Sequence, residues 1–373
     1  MNSSRLNWLD SLSWQAEFYQ RANRRHRTEP DFSGVWGDDA DTSPIRIFRA
    51  LAKETLHILG LHTTGEKIII EWLRTNAEPL WESRSLLSDE VSRLLYDDVI
   101  LLRLTGHQQF YFPRIDFEDI IEIIAEKPFQ NSDLPKDYCG LPLKLFDIRL
   151  TERPDVPQLK IIACKEALVS LNSSRQYLIR RKSVDISPVA GDIVLDCGAC
   201  IGDMSLLFAG LVGAKGAVHS FDPIPLHARY GRLQASLNPA LAHVMHINEL
   251  AVSDRTFLTK GDKSDTDKIV PGGLAVNYFA STSLDDYASG RLNRVDFIKM
   301  DIEKAEMSAL SGAERIIKEF KPRLAISVYH KPEDLWQIPL KLKALNPAYE
   351  LHFGHHSPIL WESVVYAVNR QDR

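Results

Sequence analysis

The chain has 373 residues, of which 44 % are hydrophobic and 25 % are charged, and its formal charge is −5. This is the composition of a globular protein, and it excludes a mostly disordered chain. At about 100 to 200 residues per domain, the length predicts two domains. A mildly acidic chain lacks the strongly cationic surface that sequence-independent binding to phosphates requires, so we expect no nucleic-acid partner.

Cysteine usage and hydropathy predict a cytoplasmic protein without a membrane span. Four cysteines are too few for a disulfide framework in a chain of this length, which indicates a reducing compartment. Residues 1–30 carry charged side chains and lack the apolar core of a signal peptide. The longest apolar stretch, residues 206–214, is far shorter than the roughly 20 residues of a spanning helix.

Residues 1–185 predict a mixed, helix-rich region in which we identify no catalytic motif. Residues 1–42 end in a stretch rich in Gly, Asp and Ser, which predicts a loop or a mobile arm. Apolar residues at helical spacing predict helices at 43–60, Asp89–Leu104 and Asp116–Ala125. The short β-branched run Glu66–Leu73 predicts a strand.

Residues 186–373 predict a doubly wound α/β domain, because short apolar strands alternate there with helical stretches. The predicted strands are Ile193–Asp196, Val218–Asp222, Val244–Ile247, Val295–Asp301 and Leu324–His330, followed by a closing antiparallel pair, Tyr349–Phe353 and Ser363–Val368. In such a sheet, ligands bind outside the carboxyl ends of the strands. The residues that end each strand are therefore the candidates for function.

The first of these strands runs into the turn DCGACIGD, in which Gly198 and Gly202 allow backbone to approach a ligand closely. The glycine spacing is not the G-x-G-x-x-G of a dinucleotide site. Asp196 can meet an ammonium group, and Asp222, at the end of the second strand, can accept both hydroxyls of a ribose. The two carboxylates fit S-adenosylmethionine, which joins a cationic amino-acid end to a nucleoside.

Motifs along the second half of the chain resemble the FkbM family of S-adenosylmethionine-dependent methyltransferases. They are DCGACIGD (196–203), FDP (221–223), TSLDDY (282–287), VDFIKMDIEKAE (295–306) and KPRLAISVYHKPEDLWQIP (321–339). Segments 86–106 and 175–179 resemble those that precede the catalytic domain in longer members.

This resemblance implies a mostly parallel, seven-stranded, Rossmann-like methyltransferase sheet with S-adenosylmethionine as the cofactor. The implied cofactor residues are Asp196, Gly198, Ala199, Gly202, Asp222 and Ser253. Cys200 and Lys304 depart from the family pattern, which usually has a larger residue such as Asn at the first position and Gly at the second. Neither change replaces a carboxylate, so the expected cofactor is unchanged.

Acidic residues and a histidine follow the fourth and fifth predicted strands. Glu306 is in helical register with Ala309 and Ala313, which predicts that its carboxylate is buried. A hydroxyl acceptor needs a base or a cation to deal with its proton. We therefore predict catalytic roles for His330, Asp301, Glu303 and Glu306, with His330 as the base because its ordinary pKa lies near neutrality.

These side chains also allow other interpretations. A divalent cation such as Mg²⁺, held by Asp301, Glu303 and His330, could acidify the acceptor instead. Carboxylates in a first helical turn are also stabilised by the helix dipole alone, which is a purely structural reason for Glu303 and Glu306. His330 could equally be a hydrogen-bonded strand end.

The resemblance implies an O-methyltransferase that acts on a hydroxyl of a sugar, a glycan precursor or a polyketide-like metabolite. One alternative is an N-methyltransferase for a nucleic acid or a small molecule, but strand four ends in Asp301-Ile-Glu303 rather than in an Asn or Asp-Pro-Pro-aromatic motif. A second alternative is a non-catalytic S-adenosylmethionine-binding protein. The expected partner is a small-molecule or glycan acceptor, and self-association into a homo-oligomer is compatible with the sequence.

Overall fold

The structure is a computed structural model of the chain. It describes residues 3–22, 64–105, 120–138, 140–165, 167–168, 175–181, 184–260, 278–357 and 361–369. The predicted helix at 43–60 and residues 23–42 of the predicted arm lie outside the described residues.

In the described part of residues 1–185, helices lead into short, mostly antiparallel strands. The helices are α1 (Ser3–Ala22), α2 (Thr64–Ser85) and α3 (Glu90–Thr105). The strands are β1 (Ile121–Pro128), β2 (Asp137–Tyr138), β3 (Leu141–Leu150), β4 (Leu159–Cys164), β5 (Ile179–Arg181) and β6 (Val184–Ile186). The predicted helix Asp89–Leu104 is confirmed by α3.

Three predictions for this region are wrong where the structure describes it. Residues 3–22 are helical rather than an arm, because Trp8 and Leu12 lie one turn apart and are both buried. The predicted strand Glu66–Leu73 is part of α2, whose buried Leu73, Ala77 and Leu80 recur at helical spacing. Packing of that face outweighs the β-propensity of the isoleucine run.

The helix predicted over Asp116–Ala125 is replaced by strand β1 from Ile121 onward. Ile121 pairs with Leu150, and Ile123 pairs with Ile148, in an antiparallel ladder with β3. The alternation of these isoleucines with Glu122 is the strand signal that helical spacing obscured.

The large sheet begins after residue 190, and helices separate its strands. The strands of this half are β7 (Ile193–Cys197), β8 (Ala217–Phe221), β9 (Met245–Asn248), β10 (Ala251–Val252), β11 (Phe257–Lys260), β12 (Tyr278–Thr282), β13 (Phe297–Met300), β14 (Arg323–Ser327), β15 (Tyr349–His355) and β16 (Ser363–Asn369). The helices are α4 (Asp203–Val212), α5 (Pro225–Leu237), α6 (Leu284–Ala288), α7 (Glu306–Ser311), α8 (Glu314–Phe320) and α9 (Asp334–Leu345).

Seven of these strands form one sheet in the order β15-β16-β14-β13-β7-β8-β9. Strands β14, β13, β7, β8 and β9 are parallel, and β16 pairs antiparallel with both β14 and β15. The mostly parallel sheet and the antiparallel closing pair agree with the sequence-based prediction. The order of the strands in the sheet reverses direction between β7 and β13, next to the turn that follows β7. In open α/β sheets, ligands bind at such a switch point.

The N-terminal helices pack against the β15 side of this sheet. Tyr96 of α3 meets Phe353 of β15 edge to face, with ring centroids 5.3 Å apart, and Leu87 forms a bridge to Leu351. Trp8 and Tyr96 belong to the same hydrophobic cluster as Leu195 and Ile298 of the sheet. The domain boundary between residues 185 and 186 stays a prediction. Within the described residues, no helix combines the length and apolarity needed to cross a membrane.

Candidate active site

The turn between β7 and α4 packs tightly against neighbouring strand ends. Gly198 has φ 80°, and a Cβ built there would lie 1.8 Å from the carbonyl oxygen of Asp301. Gly202 has φ 81°, and its Cβ would lie 2.9 Å from the Cα of Gly231 on α5. Both positions therefore require glycine because of contacts inside the protein as well as left-handed backbone.

Asp196 is fully buried beneath this turn and is joined to a buried lysine. The Lys299 ammonium lies 3.1 Å from Oδ1 of Asp196, and the Ser205 hydroxyl donates to Oδ2 at 2.5 Å. Lys299 also donates to the carbonyl oxygens of Gly198 at 2.6 Å and Cys197 at 3.2 Å. The ammonium group that Asp196 meets in this structure is thus that of Lys299, which fastens the turn to strand β13.

Two opposing effects set the charge state of Lys299. Burial lowers its pKa, but the carboxylates of Asp196 and Asp301 outweigh burial and leave the pKa above its ordinary value. Lys299 is therefore a cation at neutral pH, and the pair with Asp196 is a buried salt bridge.

A small crevice opens at the carboxyl ends of β7, β8 and β9. Its lining includes Ala199, Gly202, Ser220, Asp222, His227 and Asn248. Oδ2 of Asp222 accepts the Cys200 N–H at 3.0 Å, and Oδ1 accepts the Ile224 N–H at 2.9 Å. Nδ1 of His227 lies 2.9 Å from the same Oδ1. The structure thus brings three of the predicted cofactor residues, Ala199, Gly202 and Asp222, to one crevice.

Ser253 occupies a different environment from these three residues. Its hydroxyl lies 3.1 Å from Oγ of Ser308 and 3.0 Å from Oδ1 of Asp254. Among the described residues that line the crevice, Ser253 does not appear. Its predicted cofactor role stays a prediction.

The other half of the site is a rim of side chains around His330, which follows β14. Nδ1 of His330 lies 2.9 Å from Oε1 of Glu306, and Nε2 lies 3.3 Å from Oδ1 of Asp301. The His330 side chain is only 4 % exposed, and that of Glu306 is 1 % exposed. The predicted burial of Glu306 is confirmed, and its Oε1 also accepts the N–H of Ile302 at 2.9 Å.

Glu303 differs from the other predicted rim residues because it is mostly exposed. Its side chain is 69 % exposed, and Oε2 lies 3.7 Å from Nε2 of His330. Its backbone has φ 53°, in a turn that precedes α7, so Glu303 does not lie in a first helical turn. Glu303 therefore stands at the solvent side of the rim.

Burial and the surrounding carboxylates act on His330 in opposite directions. Burial lowers its pKa, but Glu306, Asp301 and Glu303 together outweigh burial and raise the pKa to about 9. In the absence of a bound cation, His330 is therefore an imidazolium at neutral pH that bridges two carboxylates.

Asp301 is held by two tyrosine hydroxyls. Tyr177 donates to Oδ2 at 2.5 Å, and Tyr329 donates to Oδ1 at 3.0 Å and to Oδ2 at 3.2 Å. These bonds fix the carboxylate that faces Nε2 of His330.

Three residues of the rim could also offer ligands to a metal ion. Asp301, Glu306 and His330 each offer one ligand atom, and these atoms lie within 4.8 Å of one another. The set contains Glu306 in place of the predicted Glu303. However, Glu306 faces Nδ1 of the ring and Asp301 faces Nε2, so the closest carboxylate contacts are divided between the two nitrogens. This arrangement holds a proton on His330 more readily than it gathers three ligands around one ion.

Comparison with known proteins identifies the family of this second half. The sequence profile of the methyltransferase FkbM domain matches residues 196–356. The chain contains a methyltransferase FkbM domain. The match thus assigns residues 196–356 to the FkbM type of S-adenosylmethionine-dependent methyltransferase, as the resemblance of the motifs implied. No curated protein matches the sequence.

Solved structures are similar to this chain. The crystal structure of methyltransferase FkbM from Methylobacillus flagellatus KT is 19 % identical, with a TM-score of 0.52 over 88 % of this chain and 71 % of that chain. A SAM-dependent methyltransferase from Aquifex aeolicus is 18 % identical, with a TM-score of 0.32 over 49 % and 84 % of the two chains. Fibrillarin from Aeropyrum pernix with natively bound S-adenosyl-L-methionine is 12 % identical, with a TM-score of 0.33 over 66 % and 99 %. The first likeness shows the fold.

Three residues outside the FkbM domain match complete the rim, and no sequence pattern predicts their place there. Nε2 of Gln176 donates to the hydroxyl of Tyr177 at 2.9 Å and also to Oε2 of Glu362. Burial, followed by the negative charge of Asp301, raises the pKa of Glu362 to about 8. Residues 175–179 carry no signal beyond the family resemblance, and no spacing rule places Glu362 near His330.

Proposed function

We propose that this FkbM-type methyltransferase transfers a methyl group from S-adenosylmethionine to a hydroxyl of a sugar, a glycan precursor or a polyketide-like metabolite, with His330 as the general base. The observation that carries the proposal is the buried His330 between Glu306 and Asp301, on the sheet edge that also carries the crevice. Supporting evidence for the cofactor is the FkbM domain itself.

The crevice suits the nucleoside part of the cofactor. Asp222 lies at the end of β8, where a carboxylate can accept ribose hydroxyls, and Gly202 and Ala199 bring backbone to the crevice wall. When bound, S-adenosylmethionine supplies an electrophilic methyl group on a sulfonium. The remaining task of the protein is to align the acceptor and remove its proton.

Glu306 and Asp301 give the two nitrogens of His330 different roles. Because Glu306 contacts Nδ1, a neutral ring keeps its proton on Nδ1 and presents the lone pair of Nε2. Nε2 points to the side of Asp301 and the exposed Glu303, from which an acceptor hydroxyl can approach. His330 then takes the hydroxyl proton at Nε2, and the two carboxylates stabilise the imidazolium that forms.

Replacement of Asp222 by Ala tests the cofactor site. The variant loses charge-assisted hydrogen bonds of about 1.5 to 3 kcal/mol, so the affinity for S-adenosylmethionine should fall by roughly ten- to a hundredfold. Titration calorimetry with the cofactor and with its demethylated product measures this change, and NAD should not bind to either protein. Asp155→Ala removes an exposed carboxylate and serves as the control. Unchanged affinity in Asp222→Ala would rule out the ribose assignment.

The acceptor class is tested by methyl incorporation from labelled cofactor. Because the chain is net acidic and its rim is formed by carboxylates, we expect only background label in DNA and RNA. Panels of neutral sugars, glycan precursors and polyketide-like alcohols should contain the acceptor. Saturable label in a nucleic acid would instead support the N-methyltransferase, and cofactor binding without label in any panel would support the non-catalytic alternative.

A further inference from the structure

Tyr177 lies upstream of the FkbM domain match, yet it contacts both halves of the site. Its ring lies over the Lys299 ammonium, with Nζ 5.2 Å from the ring centroid. Its hydroxyl donates to Oδ2 of Asp301 at 2.5 Å. The residue is 4 % exposed, so these contacts are made in the protein interior.

The hydrogen bonds around the Tyr177 hydroxyl are directional. Gln176 donates to the phenol oxygen at 2.9 Å, so the phenol proton is left to point at Asp301. Burial and the charge of Asp301 keep the pKa of Tyr177 well above its ordinary value. The phenol is therefore a hydrogen-bond donor at every working pH.

Asp301 in turn faces the proposed base. Its Oδ1 lies 3.3 Å from Nε2 of His330, while its Oδ2 receives the Tyr177 hydroxyl. A shift of this carboxylate changes the orientation of the imidazole and the stability of the imidazolium. Tyr177 can thus act on the base without touching a substrate.

We propose that Tyr177 is a positioning residue of the methyl-transfer reaction. Its hydroxyl orients the Asp301 carboxylate toward His330, and its ring packs on the Lys299 ammonium and so holds Tyr177 in place. The inference rests on the proposed role of His330 as the base. It places an essential part of the site in the segment before the FkbM domain.

The test is Tyr177→Phe, which keeps the ring and removes only the hydroxyl. The matched control is Tyr349→Phe, since Tyr349 is also buried and donates to a backbone carbonyl, that of Pro322, at 2.7 Å. Loss of a hydrogen bond to a carboxylate should lower kcat about tenfold in Tyr177→Phe, with the cofactor affinity within about twofold of wild type. Tyr349→Phe should leave both constants unchanged.

A pH profile separates positioning from a structural role. Without the phenol donor, Asp301 interacts more strongly with the His330 imidazolium, so the rising limb of kcat against pH should move to higher pH in Tyr177→Phe. The charged and titratable groups that face His330 are Asp301, Glu303, Glu306, Asp334 and Glu362. Equal losses of Tm in both variants, with wild-type kcat and pH profile, would overturn the inference. If Tyr177→Phe behaves as wild type while His330→Ala is inactive, the base assignment stands and only this inference fails.

Discussion

Replacement of His330 by Ala is expected to lower turnover by about a hundred- to ten-thousandfold, which is the usual contribution of a general base. The cofactor affinity should stay nearly unchanged, because His330 does not line the crevice at Asp222. Steady-state kinetics with an identified acceptor, together with calorimetric titration of the cofactor, measures both quantities. His352→Ala is the control, since His352 is also buried and paired with a carboxylate, that of Asp89, outside the rim.

The same histidine predicts the direction of the pH dependence. Only the neutral ring accepts a proton, so kcat/KM should rise with pH toward the His330 pKa of about 9. The free energy of unfolding changes with pH in the opposite direction, because protonated His330 stabilises the fold. A pKa raised above the ordinary value stabilises the fold fully below about pH 6.5, and this contribution is lost as pH rises through about 9.

A metal-dependent reaction would give a different result. If turnover persists in His330→Ala, disappears with a chelator and returns with magnesium, the base assignment is wrong, and the divalent-ion alternative at Asp301 and its neighbours is correct. If a chelator has no effect on wild type and His330→Ala is inactive, the base assignment is supported.

Replacement of Lys299 by Met is expected to destabilise the protein by about 3 to 5 kcal/mol, because it leaves the fully buried Asp196 carboxylate without its cation. The turn carbonyls of Cys197 and Gly198 also lose their donor, so cofactor affinity should fall as well. Urea unfolding measures the free energy of unfolding, and calorimetry measures the affinity.

Two further variants serve as comparisons for Lys299→Met. Asp196→Asn combined with Lys299→Met removes the unpaired charge and should recover part of the lost stability. Lys341→Met breaks the more solvent-accessible pair with Glu314 and should cost about 0 to 1 kcal/mol. A loss within that small range for Lys299→Met would show that the buried pair does not hold the turn.

The parallel half of the fold is well predicted by the sequence because each of its strands is a short apolar run between turn residues. The N-terminal half is not, because the run Ile120, Ile121, Ile123 and Ile124 contains apolar pairs at helical spacing as well as the i, i+2 pair of a strand. There, pairing with Leu150 and Ile148 of a distant strand decides the outcome.

Some residues of the site could be predicted from the sequence, and others could not. Asp301, Glu306 and His330 could be predicted to lie together, because neighbouring parallel strands end at one edge. The partner of Asp196 could not, although Lys299 lies in the quoted motif, because the inward direction of a strand side chain depends on register. Tyr177 and Glu362 reach the rim through tertiary contacts that no local pattern records.

The position of β16 between β14 and β15 affects folding of the chain during synthesis. On a ribosome β15 is synthesised before β16, yet the strand partner of β15 in the large sheet is β16, which follows it in sequence. Until β16 emerges, one edge of β14 is unpaired, and β15 has no strand to pair with in this sheet. Such exposed edges are where nascent chains associate wrongly. A fragment that ends with the matched domain at residue 356 would remain permanently in that unfinished state, so expression trials should retain residues 363–369.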